Sequence, residues 1–289
     1  MPLATLPHLF NFLADHYAEH DRASLFYKFL DPITKDHFSN LRDVFIAPKP
    51  VVLDGIGEIT FPYQKLGAID TLDMFGLDEL IIFSFYMRNC NHYKKAIDIG
   101  ANLGLHSLVL AQCGYSVRSY EPDPVHYQKL QNNLKLNGAE KSCVAYQAAV
   151  SARAGRMEFT RVLGNTTGSH LSGAKTNPYG DLERFDVDVL DIKNILDDEA
   201  TLVKIDAEGH EVVILNGIPM ERWAHLDVMV EIGTPENAKA LFDHFHEGPV
   251  RIFAQKKGWA RVNILDDVPT SYREGSAFLT CKDAMPWSR

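Results

Sequence analysis

The chain has 289 residues, 46% hydrophobic and 23% charged, with a formal net charge of -9, enough apolar material for one large domain with an extension or for two small ones. That acidity excludes a broad phosphate-backbone footprint, so nucleic acid is not an expected partner. Cys90, Cys113, Cys143 and Cys281 stand in apolar contexts with no Cys-x-x-Cys pair, which fits reduced core thiols in a cytoplasmic protein. No uncharged apolar run approaches the roughly 18 residues of a membrane-spanning helix.

Residues 1–70 read as an N-terminal extension, helical first and then a β-hairpin, ahead of a main domain over 71–289. Apolar spacing at Leu9, Phe10, Leu13 and Tyr17, and again at Leu25, Phe26, Phe29 and Leu30, predicts helices, with Asp31-Pro32 as a divider. His16 and His20 share a helix face, but no second pair follows, which favours a surface helix over a metal site. Ala47-Pro48-Lys49-Pro50 is a linker. Val51–Leu53 and Glu58–Tyr63, bracketed by Asp54-Gly55 and Gly57, form a predicted hairpin. Leu77–Met87 is a strongly apolar helix.

The stretch Lys95–Pro122 then reads strand, glycine turn, helix, strand, acid, which is half of a nucleotide-binding α/β sheet. Asn102 and Leu105 stand where a dinucleotide fingerprint needs its second and third glycines. Asp98 would repel a pyrophosphate, whereas it would suit the cationic groups of S-adenosylmethionine, whose carboxylate could use the free N–H groups of the turn. Glu121 is placed for ribose hydroxyls. The expected cofactor set is therefore Asp98, Gly100, Ala101, Asn102, Gly104, Glu121 and, beside the adenine, Ala149. His106 opens the next helix and is a candidate substrate contact.

Asp123-Pro124 begins a helix ending at Asn137-Gly138. Cys143–Val150 is read as a third strand. Met157–Val162 and Phe185–Leu190 are further strands around the polar loop Gly164–His170, long enough to cover a site. Thr201–Ile205 runs into Asp206-Ala207-Glu208-Gly209-His210-Glu211 at the carboxyl end of a parallel strand, where such sheets bind ligands. Asp206, Glu208 and His210 are the catalytic candidates, with Asp206 or His210 as general base. Two other readings stay open for the segment: a metal held by Asp-x-Glu-x-His, or Glu208 and Glu211 capping the helix beside a solvated His210. Glu231, at the end of the strand Leu226–Ile232, is a second candidate substrate contact. Trp259–Ile264 and Ser276–Cys281 are expected to pair as a late hairpin.

Asp98-Ile-Gly-Ala-Asn-Leu-Gly-Leu-His-Ser, Glu121-Pro-Asp-Pro, Leu130-Gln-Asn-Asn-Leu-Lys-Leu-Asn137 and above all Lys204-Ile-Asp-Ala-Glu-Gly-His-Glu211 resemble the FkbM-type methyltransferases over about residues 75–235. The resemblance implies a class I methyltransferase (Rossmann-like) fold, an α/β architecture with a seven-stranded, mostly parallel sheet. It also implies O-methylation of a hydroxyl on a sugar, glycan or polyketide-like metabolite, with no metal predicted. Two competing readings are a Rossmann-type NAD(P)-binding oxidoreductase, for which no Tyr-x-x-x-Lys pair is present, and a binding module that kept the fold and lost turnover. The role of residues 1–46 stays open among a lid, a homodimer contact and a dock for a partner.

Overall fold

The computed structural model describes residues 3–4, 8–175, 180–196, 199 and 201–287. The N-terminal region comprises β1 (Leu3–Ala4), α1 (Leu9–Asp15), α2 (Leu25–Ser39), α3 (Arg42–Ile46), β2 (Val51–Leu53) and β3 (Gly57–Ile59). Strand β2 pairs antiparallel with β3, the expected hairpin, and parallel with β1. Asp31-Pro32 does not end a helix. Pro32 lies inside α2, where the buried row Tyr27, Leu30, Thr34 and Phe38 packs as one face and outweighs the one backbone bond that proline cannot donate. Ser24 starts this helix by accepting a hydrogen bond from the Tyr27 N–H at 2.9 Å.

The main domain runs α4 (Leu77–Arg88), β4 (Lys95–Ile99), α5 (Leu105–Gln112), β5 (Ser116–Tyr120), α6 (Pro124–Leu136), β6 (Cys143–Tyr146), β7 (Ala149–Ser151), β8 (Gly155–Val162), β9 (His170–Leu171), β10 (Leu182–Asp191) and α7 (Ile192–Ile195). It closes with β11 (Thr201–Ile205), α8 (Glu211–Asn216), β12 (Leu226–Glu231), α9 (Pro235–Phe245), β13 (Arg251–Ala254), β14 (Ala260–Arg261) and β15 (Ser276–Thr280).

The central sheet has the order β14-β13-β15-β12-β11-β4-β5-β6. Strands β6, β5, β4, β11 and β12 are parallel, and β15 enters antiparallel between β12 and β13. Without the two-residue edge strand β14 this is the seven-stranded order of the class I methyltransferase fold. The late hairpin is therefore different from the one expected: β14 pairs with β13, and β15 does not pair with it. Burial explains the exchange. Ala277, Phe278 and Leu279 are fully buried and need neighbours on both edges, whereas Ala260 and Arg261 are exposed.

Cys143–Val150 is also not one strand. The chain leaves the central sheet after Tyr146, and β7 joins a separate sheet ordered β7-β10-β8-β9. This second sheet, built from residues 149–191, lies over the carboxyl end of the first. Arg161 of β8 clamps it there through two bonds to the fully buried Asp123, Nε to Oδ2 at 2.6 Å and Nη2 to Oδ1 at 2.7 Å. Asp123 also caps α6 through the Val125 N–H. Removing one partner leaves a buried carboxylate uncompensated, so Arg161→Met should cost about 3–5 kcal/mol of stability. Urea denaturation checks this, and an unchanged midpoint would contradict the clamp.

Candidate active site

Apolar β4 delivers Asp98 and then the turn Gly100–Gly104. At Gly100, with φ 74°, an added Cβ would stand 1.7 Å from the Asp206 carbonyl oxygen, so the ends of β4 and β11 touch through bare backbone. Gly104 (φ 86°) is needed for a different contact, because its Cβ would stand 2.2 Å from Leu130 of α6. It packs against α6 and is not among the residues lining the spaces described below. The turn's N–H groups are also less free than expected. Those of Gly100 and Ala101 donate to the Tyr120 carbonyl, at 3.0 and 3.1 Å, and that of Asn102 donates to Glu121 Oε2 at 2.7 Å.

Asp98 does not face the cleft either. Fully buried, it accepts a hydrogen bond from the Ser107 hydroxyl at 2.6 Å, and Ser119 in turn donates to Ser107. Its other oxygen lies 3.5 Å from the ammonium of Lys204, its register partner on β11. Lys204 reaches Asp206 Oδ2 and the Gly100 carbonyl as well, each at 3.4 Å. Burial alone would depress this lysine, but Asp206, Asp98, Glu79 and Glu231 together raise its pKa. Lys204 was missed in the sequence, although the argument applied to Asp98, a charge within an apolar strand, applies equally to it.

Two chambers meet at this point. The inner cleft is narrow, ≈ 60 Å³, and is bounded by Gly100, Asn102, Glu121, Ala149, Phe159 and Leu171 among others. Ala149, Phe159 and Leu171 belong to one apolar cluster and, with Val150, give the cleft apolar lining. Glu121 lies at the β5 end, accepting the Asn102 and Asp123 N–H groups at 2.7 and 2.8 Å. Among the described residues no lysine or arginine lines this cleft. Thr166, Thr167 and Ser169 of the polar loop do, so that loop covers the site, and Thr166 is bonded to His126 at 3.0 Å.

The outer basin is larger, ≈ 340 Å³, and takes Arg22, Tyr27, Asp31 and Lys35 from the N-terminal extension. Glu79, His106, Glu231 and Tyr272 complete the part nearest the cleft. A third space, ≈ 160 Å³, shares lining residues with both chambers and is lined by Gly100, Ala101, Asn102, Asp206, Glu208 and Glu79. Asp206 borders all three.

The remaining candidates separate. His210 is buried and solvent does not hold it. Its Nε2 is bonded to Ser151 Oγ at 2.9 Å, it borders the inner cleft only, and burial lowers its pKa. A base facing the outer basin cannot be His210. Glu208 (φ 51°) is held by Lys175 and by the Tyr272 hydroxyl at 2.9 Å. Glu211 is the residue that caps: its carboxylate accepts the Ala207 and Gly209 N–H groups at 3.0 and 2.9 Å. Asp206, Glu208 and His210 thus go to different partners. Among the described residues no group of three or more His, Cys, Asp or Glu is arranged to hold a metal ion. His106 stands between Glu79, at 2.8 Å, and the Tyr86 hydroxyl, at 3.0 Å. No helix of the described residues is long and apolar enough to cross a membrane.

A family model, the methyltransferase FkbM domain, matches residues 98–247, more than half of the chain. The chain belongs to the FkbM methyltransferase family. A relative from Sordaria araneosa, methyltransferase sdnD, is 27% identical over 175 residues, which is 50% of this chain and 68% of that protein. The crystal structure of methyltransferase FkbM from Methylobacillus flagellatus KT shares 22% identity and a TM-score of 0.40, over 65% of this chain and 43% of that one. This chain therefore spans less than half the length of that bacterial protein. The METTL16 methyltransferase domain covers 95% of this chain and 92% of its own at 13% identity and a TM-score of 0.45. The FkbM match includes Asp98 and the glycine turn, β5, Glu121 and Asp206. It leaves out Glu79 and the N-terminal wall of the basin, as well as Tyr272.

Burial pushes the Glu121 carboxyl up to about 8 against the opposing pull of its two backbone donors. A ligand whose hydroxyls donate to Glu121 favours the carboxylate, so binding should release a proton near pH 7 and tighten as pH rises towards 8. Calorimetry of S-adenosylhomocysteine in buffers of different ionisation enthalpy measures this. Glu121→Gln should abolish the proton release and weaken binding roughly 10- to 100-fold; unchanged affinity and proton release would remove Glu121 from the ligand site.

Proposed function

We propose that this methyltransferase binds S-adenosylmethionine in the inner cleft and transfers its methyl group to a hydroxyl of a small molecule, a sugar, glycan or polyketide-like metabolite, held in the outer basin. The observation that carries the reading is that Glu121 lines a cleft in which, among the described residues, there is no lysine or arginine, together with apolar Ala149, Val150, Phe159 and Leu171. A carboxylate beside an apolar slot suits a ribose and its adenine. The same wall, with Asp206 and Glu208 added, is unsuited to the pyrophosphate of a dinucleotide, which speaks against the oxidoreductase reading.

When bound, the cofactor supplies an electrophilic methyl group on a sulfonium. The protein's part is to hold the acceptor in the polar basin and exclude competing water, so that proximity and orientation provide most of the rate. Residues 8–46 take part through Arg22, Tyr27, Asp31 and Lys35, which supports a wall or lid role for the extension. Asp206, at the junction of both chambers, is the residue of the catalytic motif placed nearest to both ligands' chambers.

Calorimetry against S-adenosylmethionine, S-adenosylhomocysteine and NAD, with and without EDTA, tests the cofactor. Both adenosyl compounds should bind at least about tenfold more tightly than NAD. Transfer of a labelled methyl group to a panel of methyl glycosides, myo-inositol and hydroxylated polyketide lactones tests the chemistry. Binding of NAD alone would overturn the reading, and adenosyl binding without any transfer would favour the binding module.

A further inference from the structure

The acceptor's proton needs a destination on the basin side, and the motif residues do not provide a free one. His210 faces only the inner cleft and is bonded to Ser151. Glu208 is already engaged, by an ion pair with Lys175 and a hydrogen bond from the Tyr272 hydroxyl. Asp206 is shared with the ammonium of Lys204.

Glu79 differs from all three. It stands in the first turn of α4, borders both the junction and the outer basin, and its side chain is 38% exposed, enough for a ligand to reach it. One oxygen, Oε2, is fixed by His106 Nε2 at 2.8 Å, and His106 Nδ1 is fixed in turn by the Tyr86 hydroxyl at 3.0 Å. The network is consistent with one tautomer. The ring donates from Nε2 to the carboxylate and accepts at Nδ1 from the buried tyrosine, so the imidazole is fixed in orientation at both nitrogens. Among the described residues Glu79 Oε1 accepts no hydrogen bond, and Glu79 lines the space between the chambers together with Gly100, Asn102 and Asp206.

We propose that Glu79, oriented by the His106–Tyr86 pair, is the general base of this enzyme. This rests on the methyl-transfer reading above. Glu79 accepts the hydroxyl proton as the hydroxyl oxygen's electron pair goes to the methyl carbon and the carbon–sulfur pair returns to sulfur, leaving a neutral thioether and a carboxylic acid that then loses its proton to solvent. The arrangement around it keeps the two facing carboxyls apart in character. Burial would raise Glu79, but His106 and Lys204 hold it below its ordinary value, whereas burial and the charges of Asp206, Glu79 and Glu208 push Glu231 well above its own. The surroundings thus favour the ionised form of Glu79 and disfavour that of Glu231. Both Glu79 and Tyr86 precede the family-matched segment 98–247.

The charged and titratable groups lining the same spaces nearest Glu79 are His106 from α5, Lys204, Asp206 and Glu208 from β11 and the segment after it, Glu231 from β12, Tyr272 from the loop before β15, and Asp73 ahead of α4. The test has two arms on the full chain. In protein labelled with ¹³C at the glutamate carboxyls, Glu79, assigned by its loss in Glu79→Gln, should still be ionised at about pH 5, and His106→Gln should raise its titration. With the best acceptor of the panel named above, Glu79→Gln should lower kcat about 10²-fold or more with KM and S-adenosylhomocysteine affinity retained, and His106→Gln should move the acid limb of the kcat profile to higher pH. A protonated Glu79 at neutral pH, or an undiminished kcat in Glu79→Gln with retained nucleoside affinity, overturns the assignment. Nucleoside binding with no methylation of any panel compound is instead the failure of the methyl-transfer reading, and the inference falls with it.

Discussion

The ammonium of Lys204 allows the acids of this site to stand where they do. Burying one carboxylate costs several kcal/mol, and two neighbouring strand ends carry Asp98 and Asp206 within 3.5 Å of a single lysine. With that cation in place, Asp98 can sit fully buried in β4 and bond Ser107, which fixes the first turn of α5 against the strand. Lys204 also reaches the Gly100 carbonyl. The ends of β4 and β11 are therefore tied by charge as well as by the backbone contact that only glycine permits at position 100. Everything at the carboxyl end of the sheet is positioned from this knot.

The two chambers around it have different makers. The inner cleft is built from β4, β5 and the motif after β11, then roofed by the second sheet, which Arg161 ties to Asp123 two residues beyond Glu121. Its apolar lining and, among the described residues, its lack of lysine and arginine are properties of those elements. The outer basin is built by α2, α4 and the loop before β15, with charges that pair locally, as Arg22 does with Asp78. A fixed nucleoside chamber beside a basin drawn from other segments is an arrangement in which acceptor choice can vary without disturbing the first.

Much of this was legible in residues. The order strand, glycine turn, helix, strand, acid placed Glu121 and Asn102 in one cleft because the period and the breakers leave few other foldings. Ala149 reached the cleft too, though on a strand of a different sheet from the one read, because a short apolar run does not reveal which sheet it joins. Asp98 was recognised as costly but assigned to the ligand, when its compensation came from Lys204, 106 positions later in the numbering of the sequence yet adjacent in register. His210 illustrates the same limit. Its neighbour Ser151 is brought to it by β7, a contact that no local pattern encodes. Glu79 looked like an ordinary first-turn acid on an apolar helix, and only the approach of His106 from α5 sets it apart.

The most direct test of the account is a crystal structure of the protein with S-adenosylhomocysteine. The account predicts the ribose hydroxyls on Glu121, the adenine between Ala149 and Phe159, and the sulfur at the junction beside Asp206, facing the basin that holds Glu79. A nucleoside bound outside this cleft, or one whose sulfur points away from the basin, would contradict it.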